Sequence, residues 1–256
     1  MPYLDLNNSR VYYALQRNRL IGGVPVILIH GAGESHLSWP AGLRRLPDAA
    51  VYAIDLPGHG KSTGDGCASI SDYVAWLAQF LDGLNAPRAV LIGHSMGGAI
   101  AQLFALTHPA RATGLALLAT GAKLRVAPQL MDWSLSDLTA AAELVSRMQW
   151  GPNVPEQIVR LGKQQVLSNR PIVLHNDYLA CDTFDIRDRI RDIKAPTLIV
   201  AGTVDQLTPI KYATFMAEQI RDARLVSVPD AGHMVMIEAE QIVTYAVEQF
   251  VREVNV

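Results

Sequence analysis

Residues 88–98 read Arg88-Ala89-Val90-Leu91-Ile92-Gly93-His94-Ser95-Met96-Gly97-Gly98, an apolar run followed by a serine with a glycine two positions away on each side. This pattern is typical of a strand that turns sharply into a helix at the serine. Only small residues fit beside so tight a turn, which raises the serine hydroxyl above the edge of the sheet. By composition alone, a Gly-x-Ser-x-Gly pattern occurs in about one chain in ten of this length. Its meaning therefore depends on the rest of the chain.

The composition is that of a globular protein with a sizeable core. The chain has 256 residues, of which 50% are hydrophobic and 18% charged, enough for one large α/β domain or two small ones. A net charge of −2 gives no electrostatic reason to expect a nucleic acid or an anionic membrane as partner. Residues 1–5 lack the pattern of a signal peptide, and no apolar run reaches the ~20 residues of a membrane helix. We therefore expect a cytoplasmic protein with Cys67 and Cys181 as free thiols rather than one disulfide.

Short apolar runs alternate with helical patterns along the chain. The runs, typical of strands buried on both faces, are residues 24–29, 50–54, 89–92, 115–118, 197–200 and 224–228. The clearest helical pattern spans residues 70–84, behind a Ser69-x-x-Asp72 capping box. Residues 3–16 indicate a hairpin that turns at Asn7-Asn8. Strands that alternate with helices predict an α/β fold with a mostly parallel sheet.

One segment interrupts this alternation. Residues 121–195 contain no convincing buried strand, but several apolar helical stretches separated by prolines and glycine. This insertion either packs on the sheet as additional helices or forms a lid over the carboxyl edge of the strands, where open α/β sheets bind ligands. We expect the lid, because the insertion falls between two strands of the sheet that carries the serine turn. The predicted organisation is a core of residues 1–120 and 196–256 with a helical cap of residues 121–195.

A serine hydroxyl needs a base and a group that orients the base before it acts as a nucleophile at neutral pH. Asp205 follows one predicted strand, and His233 follows the next strand along the chain. The carboxyl ends of parallel strands meet at one edge, so we expect Ser95, Asp205 and His233 to form a catalytic triad. Taken alone, Asp205 fits a turn or helix cap before Pro209 better than a catalytic role, and His233 fits the start of a helix equally well. Asp230 is the alternative acid, although its position in the His233 loop suits it better to shaping that turn.

The other six histidines are weaker candidates for the base. Those adjacent to glycine are expected to shape loops, whereas the others have no supporting partner in the sequence. The first group comprises His30, His59 and His94, and the second comprises His36, His108 and His175.

The loop after the first parallel strand, His30-Gly31-Ala32-Gly33, suits an oxyanion hole. Its two donors are expected to be the backbone N–H groups of Ala32 and of Met96, the residue after the nucleophile. The alternative is an ordinary glycine turn. No complete phosphate-binding, dinucleotide-binding or metal-ligand pattern occurs in the sequence, so we expect neither a cofactor nor a metal.

Together these motifs resemble those of the α/β-hydrolase superfamily, and the chain looks most like small bacterial esterases with a four-helix cap. The similar segments are residues 30–33, 55–62, 93–98, 202–205 and 232–233. The resemblance implies an eight-stranded sheet, a cap inserted after the sixth strand and a Ser-His-Asp mechanism. It therefore implies a serine esterase but says little about the substrate. The apolar residues of the predicted cap favour small-molecule esters of short to medium acyl or aryl groups.

Departures from related families narrow this expectation. Haloalkane dehalogenases and epoxide hydrolases carry aspartate at the position of Ser95, so those reactions are disfavoured. Carbon–carbon bond hydrolases usually have asparagine at the position of His94, which lowers that alternative without removing it. Thioester hydrolysis and a receptor without turnover also stay open. A carrier-protein partner would need a basic cap surface. Four side chains could supply one, although a solvated helix face suits them better: Arg147, Arg160, Lys163 and Arg170.

Overall fold

A computed structural model describes residues 3–6, 9–17 and 23–254. Its eight-stranded sheet has the spatial order β1-β2-β4-β3-β5-β6-β7-β8. The strands are β1 (Tyr3–Leu6), β2 (Ser9–Arg17), β3 (Val26–Ile29), β4 (Ala50–Ile54), β5 (Ala89–His94), β6 (Ala112–Leu118), β7 (Thr197–Gly202) and β8 (Ala223–Val228). Strands β1 and β2 pair antiparallel, β2 pairs antiparallel with β4, and all other pairs are parallel. The mostly parallel sheet is therefore confirmed, whereas the turn predicted at Asn7-Asn8 lies outside the described residues.

The helices flank the sheet and fill the predicted insertion. They are α1 (Ala41–Arg44), α2 (Ile70–Gly83), α3 (Met96–Thr107), α4 (Pro128–Ser136), α5 (Leu138–Met148), α6 (Glu156–Leu167), α7 (Pro171–Asp182), α8 (Ile210–Gln219), α9 (Val235–Glu238) and α10 (Glu240–Val254). Helix α2 begins behind Ser69, whose Oγ accepts from the N–H of Asp72 at 3.1 Å, as its capping box predicts. Helices α4 to α7 all lie between β6 and β7.

The central parallel strands bury both faces, whereas the edge strand β8 leaves Arg224 and Ser227 exposed. The prediction that residues 224–228 form a strand buried on both faces is therefore wrong. In β3, Ile27 and Ile29 pack into a cluster with α2 and α3, whereas Val26 and Leu28 face α1 and α10 on the other side. This two-residue alternation is the period of a strand, and all four side chains are fully buried. The inserted helices form a third apolar cluster that includes Leu130, Val145, Val166, Leu174 and Tyr178. The carboxyl ends of β3, β5, β7 and β8 are thus fixed in a rigid frame.

Candidate active site

Ser95 occupies the turn between β5 and α3, with φ 51° and ψ −116°. A non-glycine residue at positive φ is strained, and such strain persists only where the surroundings enforce it. Here the turn is enforced by close backbone approach, since a Cβ on Gly97 would lie 2.0 Å from the carbonyl oxygen of Ile29. The Ser95 N–H donates to the carbonyl oxygen of Leu118 at 3.0 Å, and its own carbonyl accepts from Thr120 Oγ1 at 2.7 Å. The serine turn predicted from residues 93–98 is therefore formed and held by β3 and β6.

The structure brings Asp205 and His233 together at the ends of β7 and β8. Nδ1 of His233 lies 2.9 Å from Oδ2 of Asp205, and both side chains are almost fully buried. The Asp205 carboxylate also accepts from the N–H of Leu207 at 2.8 Å, and from the N–H and Oγ1 of Thr208 at 2.9 and 2.6 Å. Burial alone would raise the pKa of Asp205, but the attraction of His233 and these hydrogen bonds lower it. The carboxylate is therefore a charged, fixed acceptor for the imidazole.

Ser95 and His233 line one cavity of about 290 Å³ beneath the inserted helices. Its other walls come from the loop after β3, the segment before α4, helices α5 and α7, and the loop after β7; they include Ala32, Glu34, Arg125, Leu130, Val145, Gln149, Tyr178, Cys181, Gln206 and Tyr212. A second cavity of about 340 Å³ shares Ala32, Glu34, Val145, Gln149 and Tyr178 with the first. The two cavities therefore adjoin at Ala32 and Glu34, in the loop after β3.

The expected oxyanion donors face no competing acceptor. Within the described residues, neither the N–H of Ala32 nor that of Met96 makes a hydrogen bond. Met96 opens α3, where the first N–H groups of a helix have no partner within the helix. Ala32 lies in the turn that closes with a bond from the Glu34 N–H to the carbonyl oxygen of Gly31, 3.3 Å.

Two residues at this site, Glu34 and His94, were not singled out as functional in the sequence. Nε2 of His94 donates to the carbonyl oxygen of His233 at 3.0 Å, which restrains the backbone of that residue. Its Nδ1 lies 2.9 Å from Oε1 of Glu34, a close contact between a buried imidazole and a carboxylate. Burial would lower the pKa of His94, but Glu34 raises it. Burial would likewise raise the pKa of Glu34, yet His94 and neighbouring groups lower it to about 2.

The remaining sequence candidates have structural partners elsewhere. Asp230 is exposed at φ 57°, and its N–H donates to Thr203 Oγ1 at 2.9 Å, in keeping with a turn residue. Histidines without an apparent partner in the sequence acquire one in the fold: His36 Nδ1 lies 2.8 Å from Asp55, and His175 Nδ1 lies 3.0 Å from Ser134 Oγ. These partners are distant in sequence, so spacing alone gave no sign of them.

The four cations considered for a basic docking surface are all paired. Arg147 and Lys163 lie 3.3 and 2.5 Å from Glu143, Arg160 lies 3.4 Å from Glu156, and Arg170 lies 2.7 Å from Asp65. This pairing favours a solvated helix face over a basic docking surface. Cys67 and Cys181 are free thiols. Among the described residues, no helix combines the length and apolar composition needed to cross a lipid bilayer.

The sheet is mostly parallel, carries helices on both faces, and holds a strained serine in the same cavity as an Asp–His pair. This combination is typical of α/β hydrolases. A sequence profile of the alpha/beta hydrolase family matches residues 26–244, and the chain belongs to this family.

Individual relatives extend over nearly the whole chain. A pimeloyl-[acyl-carrier protein] methyl ester esterase of Pectobacterium carotovorum is 29% identical over 88% of this chain and 95% of its own. An (E)-2-((N-methylformamido)methylene)succinate hydrolase of Acinetobacter baylyi is 25% identical over 96% of this chain and 95% of its own. The solved structure of a thermophilic esterase is 32% identical, with a TM-score of 0.86 over 98% of this chain and 97% of its own. These three relatives are all named as hydrolytic enzymes, and the two named substrates differ.

Proposed function

We propose that the protein is a serine hydrolase that cleaves carboxylic esters through a covalent acyl-enzyme. The observation that carries the proposal is that strained Ser95 and the Asp205-bound His233 line the same cavity. The unpartnered N–H groups of Ala32 and Met96 add the donors that acyl transfer requires. Esterases among the relatives support the same chemistry.

In the proposed reaction, Ser95 Oγ attacks the ester carbonyl carbon while His233 accepts its proton. Asp205 stabilises the resulting imidazolium, and the N–H groups of Ala32 and Met96 donate to the oxyanion. His233 then protonates the leaving alcohol as the carbon–oxygen bond breaks, which leaves the acyl group on Ser95. Water, deprotonated by His233, attacks this acyl-enzyme and releases the carboxylic acid.

The cavity walls indicate the substrate class. Leu130, Val145 and Tyr178 make them mostly apolar, which favours short to medium acyl groups or aryl groups. Arg125 is the one arginine or lysine on these walls, and its side chain has no partner among the described residues. We therefore include esters with a carboxylate remote from the scissile bond among the expected substrates.

A panel of nitrophenyl esters of increasing acyl length, assayed beside a fluorophosphonate probe, tests the proposal. The wild-type protein should turn over repeatedly and label rapidly, whereas Ser95→Ala should lose roughly 10⁴-fold or more in turnover and all labelling. Slow labelling with a single turnover would instead indicate a small-molecule receptor. Thioester and carbon–carbon bond substrates, run against the same sample, would reveal whether either is cleaved faster than the esters.

A further inference from the structure

The loop that carries Ala32 is held from outside by the helices between β6 and β7. Gly33, the next residue, has both of its backbone polar groups bonded to side chains of this insertion. Its N–H donates to Oδ2 of Asp177 on α7 at 2.8 Å, and its carbonyl oxygen accepts from Nδ2 of Asn169 at 2.7 Å. These partners lie 144 and 136 residues along the chain, so the inserted helices fix this peptide.

The packing around Gly33 is equally close. Its φ of +66° is a conformation that side chains rarely adopt, and a Cβ there would lie 2.8 Å from Cδ1 of Leu174. The same Cβ would lie 3.3 Å from Nδ2 of Asn169. Glycine is therefore the residue that best suits this backbone conformation so close to Leu174 and Asn169.

Asp177 is itself anchored in the core. Its fully buried carboxylate accepts from the hydroxyl of Tyr73 at 2.5 Å through Oδ1, and from Nε2 of His59 at 2.7 Å through Oδ2. The other ring nitrogen of His59 donates to the carbonyl oxygen of Pro57 at 2.9 Å. Burial would lower the pKa of His59, but the attraction of Asp177 and these hydrogen bonds raise it. The aspartate is thus a rigid acceptor, tied to α2 and to the loop after β4.

The peptides on either side of the Ala32 N–H are therefore both restrained. On one side, the Gly31 N–H donates to Oε2 of Glu34 at 3.1 Å, and on the other the Gly33 N–H donates to Asp177. An oxyanion donor contributes only when it points to where the charge develops, and a displacement of about 1 Å can cost about 10²-fold in rate. Restraint of this loop matters most in the transition state, so its loss should lower kcat rather than raise KM.

We propose that Asp177 is a positioning residue for the hydrolytic reaction. Through its bond to the Gly33 N–H, it holds the Ala32 donor in place while α7 packs against the core. This proposal rests on the proposed ester hydrolase function. It assigns to the inserted helices a part in forming the oxyanion hole as well as in lining the substrate cavity.

The test compares two substitutions of Asp177 with a control in the same network. Asp177→Ala removes the acceptor of the Gly33 N–H, whereas Asp177→Asn keeps an oxygen that can accept it. Tyr73→Phe removes only the bond to Oδ1 and leaves the Gly33 contact intact. For each variant, kcat and KM for a nitrophenyl ester are measured per active site titrated with fluorophosphonate, together with inhibition by a trifluoromethyl ketone, whose adduct carries an oxyanion.

We expect Asp177→Ala to lower kcat by at least about 10-fold and to weaken ketone binding by a similar factor. Complete removal of one oxyanion-hole donor typically costs about 10²–10³-fold in kcat, and this variant displaces the Ala32 donor without removing it. KM should stay unchanged, and Asp177→Asn and Tyr73→Phe should keep kcat near that of the wild type even if they unfold at lower temperature. If Asp177→Ala does not fold, Asn169→Ala, which frees the other side of Gly33, should lower kcat by at least about fivefold. The proposal is overturned if folded Asp177→Ala keeps the wild-type kcat per titrated site. If Asp177→Ala does not fold, a wild-type kcat in Asn169→Ala overturns it. A wild-type protein that hydrolyses no ester would instead remove the proposed function on which it rests.

Discussion

His30, at the end of β3, provides a prediction on acid stability. Its ring is fully buried, with Nε2 accepting from the Leu56 N–H at 3.0 Å and Nδ1 donating to the Gly31 carbonyl oxygen at 2.8 Å. This arrangement requires the neutral ring, and burial, followed by repulsion from His59, lowers the pKa of His30 from 6.5 to about 4. Protonation would also break the bond from Leu56.

The size of the effect follows from the change in pKa. Above about pH 6.5, neither the folded nor the unfolded state protonates His30, so it adds no pH dependence. As the pH falls from 6.5 to 4, the unfolded state binds a proton that the folded state refuses, and the free energy of unfolding decreases. A pKa lowered from 6.5 to about 4 corresponds to a loss of about 3 kcal/mol at 1.36 kcal/mol per unit.

Urea unfolding of the wild type and His30→Gln between pH 7 and pH 4, followed by far-UV circular dichroism, measures this loss. Glutamine offers a donor and an acceptor in place of the ring but does not titrate. Between pH 7 and pH 4, the wild type should therefore lose about 3 kcal/mol more free energy of unfolding than His30→Gln. His59→Gln, measured upward from pH 6, should behave in the opposite sense. The raised pKa of His59 contributes stability that is fully present below pH 6.5 and is lost as the pH rises through the higher folded-state pKa. A gap between wild type and His30→Gln that stays constant or widens on acidification would refute this reasoning.

Four further substitutions test the site itself. Asp205→Asn should lower kcat by about 10⁴-fold with little change in Tm, because an amide no longer fixes the histidine tautomer. Asp230→Asn should leave the steady-state kinetics unchanged. Equal losses of kcat in both variants would show that Asp205 is not the sole acid of the triad. Gly97→Ala should lower the free energy of unfolding by at least about 3 kcal/mol in chemical denaturation, since its Cβ would lie 2.0 Å from the Ile29 oxygen; a fully stable variant would contradict the account of the turn. Arg125→Gln should reduce kcat/KM for esters with a remote carboxylate by about fivefold, the value of ~1 kcal/mol for an exposed charge pair, and spare neutral esters; equal effects on both would remove the anion preference.

The parts of the site that the sequence predicts are those with a local signature. Ser95 is bracketed by glycines, and Asp205 and His233 directly follow apolar strands, so each marks its own turn. The structure places all three at one edge of the sheet because parallel strands end there. The sequence predicts the ends of the strands less exactly than their positions. Strand β6 begins at Ala112 and β5 extends to His94, because backbone pairing continues beyond the apolar runs at residues 115–118 and 89–92.

The parts that escaped prediction depend on contacts between distant segments. Glu34 and His94 are 60 residues apart, and Asp177 reaches Gly33 across 144 residues, distances over which spacing carries no information. Asp177 had one available signal, because it shares the buried face of α7 with Val173 and Leu174. A buried carboxylate on an apolar helix face needs hydrogen-bond donors from elsewhere in the fold. For Asp177 these donors are the Gly33 N–H, the Tyr73 hydroxyl and His59 Nε2.

The central claim is that Ser95 carries the acyl group during turnover. Mixing the protein with excess nitrophenyl butyrate, quenching in acid during the first turnover and mapping the peptides by mass spectrometry tests it directly. We predict a butyryl adduct on Ser95 that decays at the rate of turnover and is absent from Ser95→Ala. Steady turnover with no adduct on Ser95, or with the acyl group on another residue such as Cys181, would contradict the account.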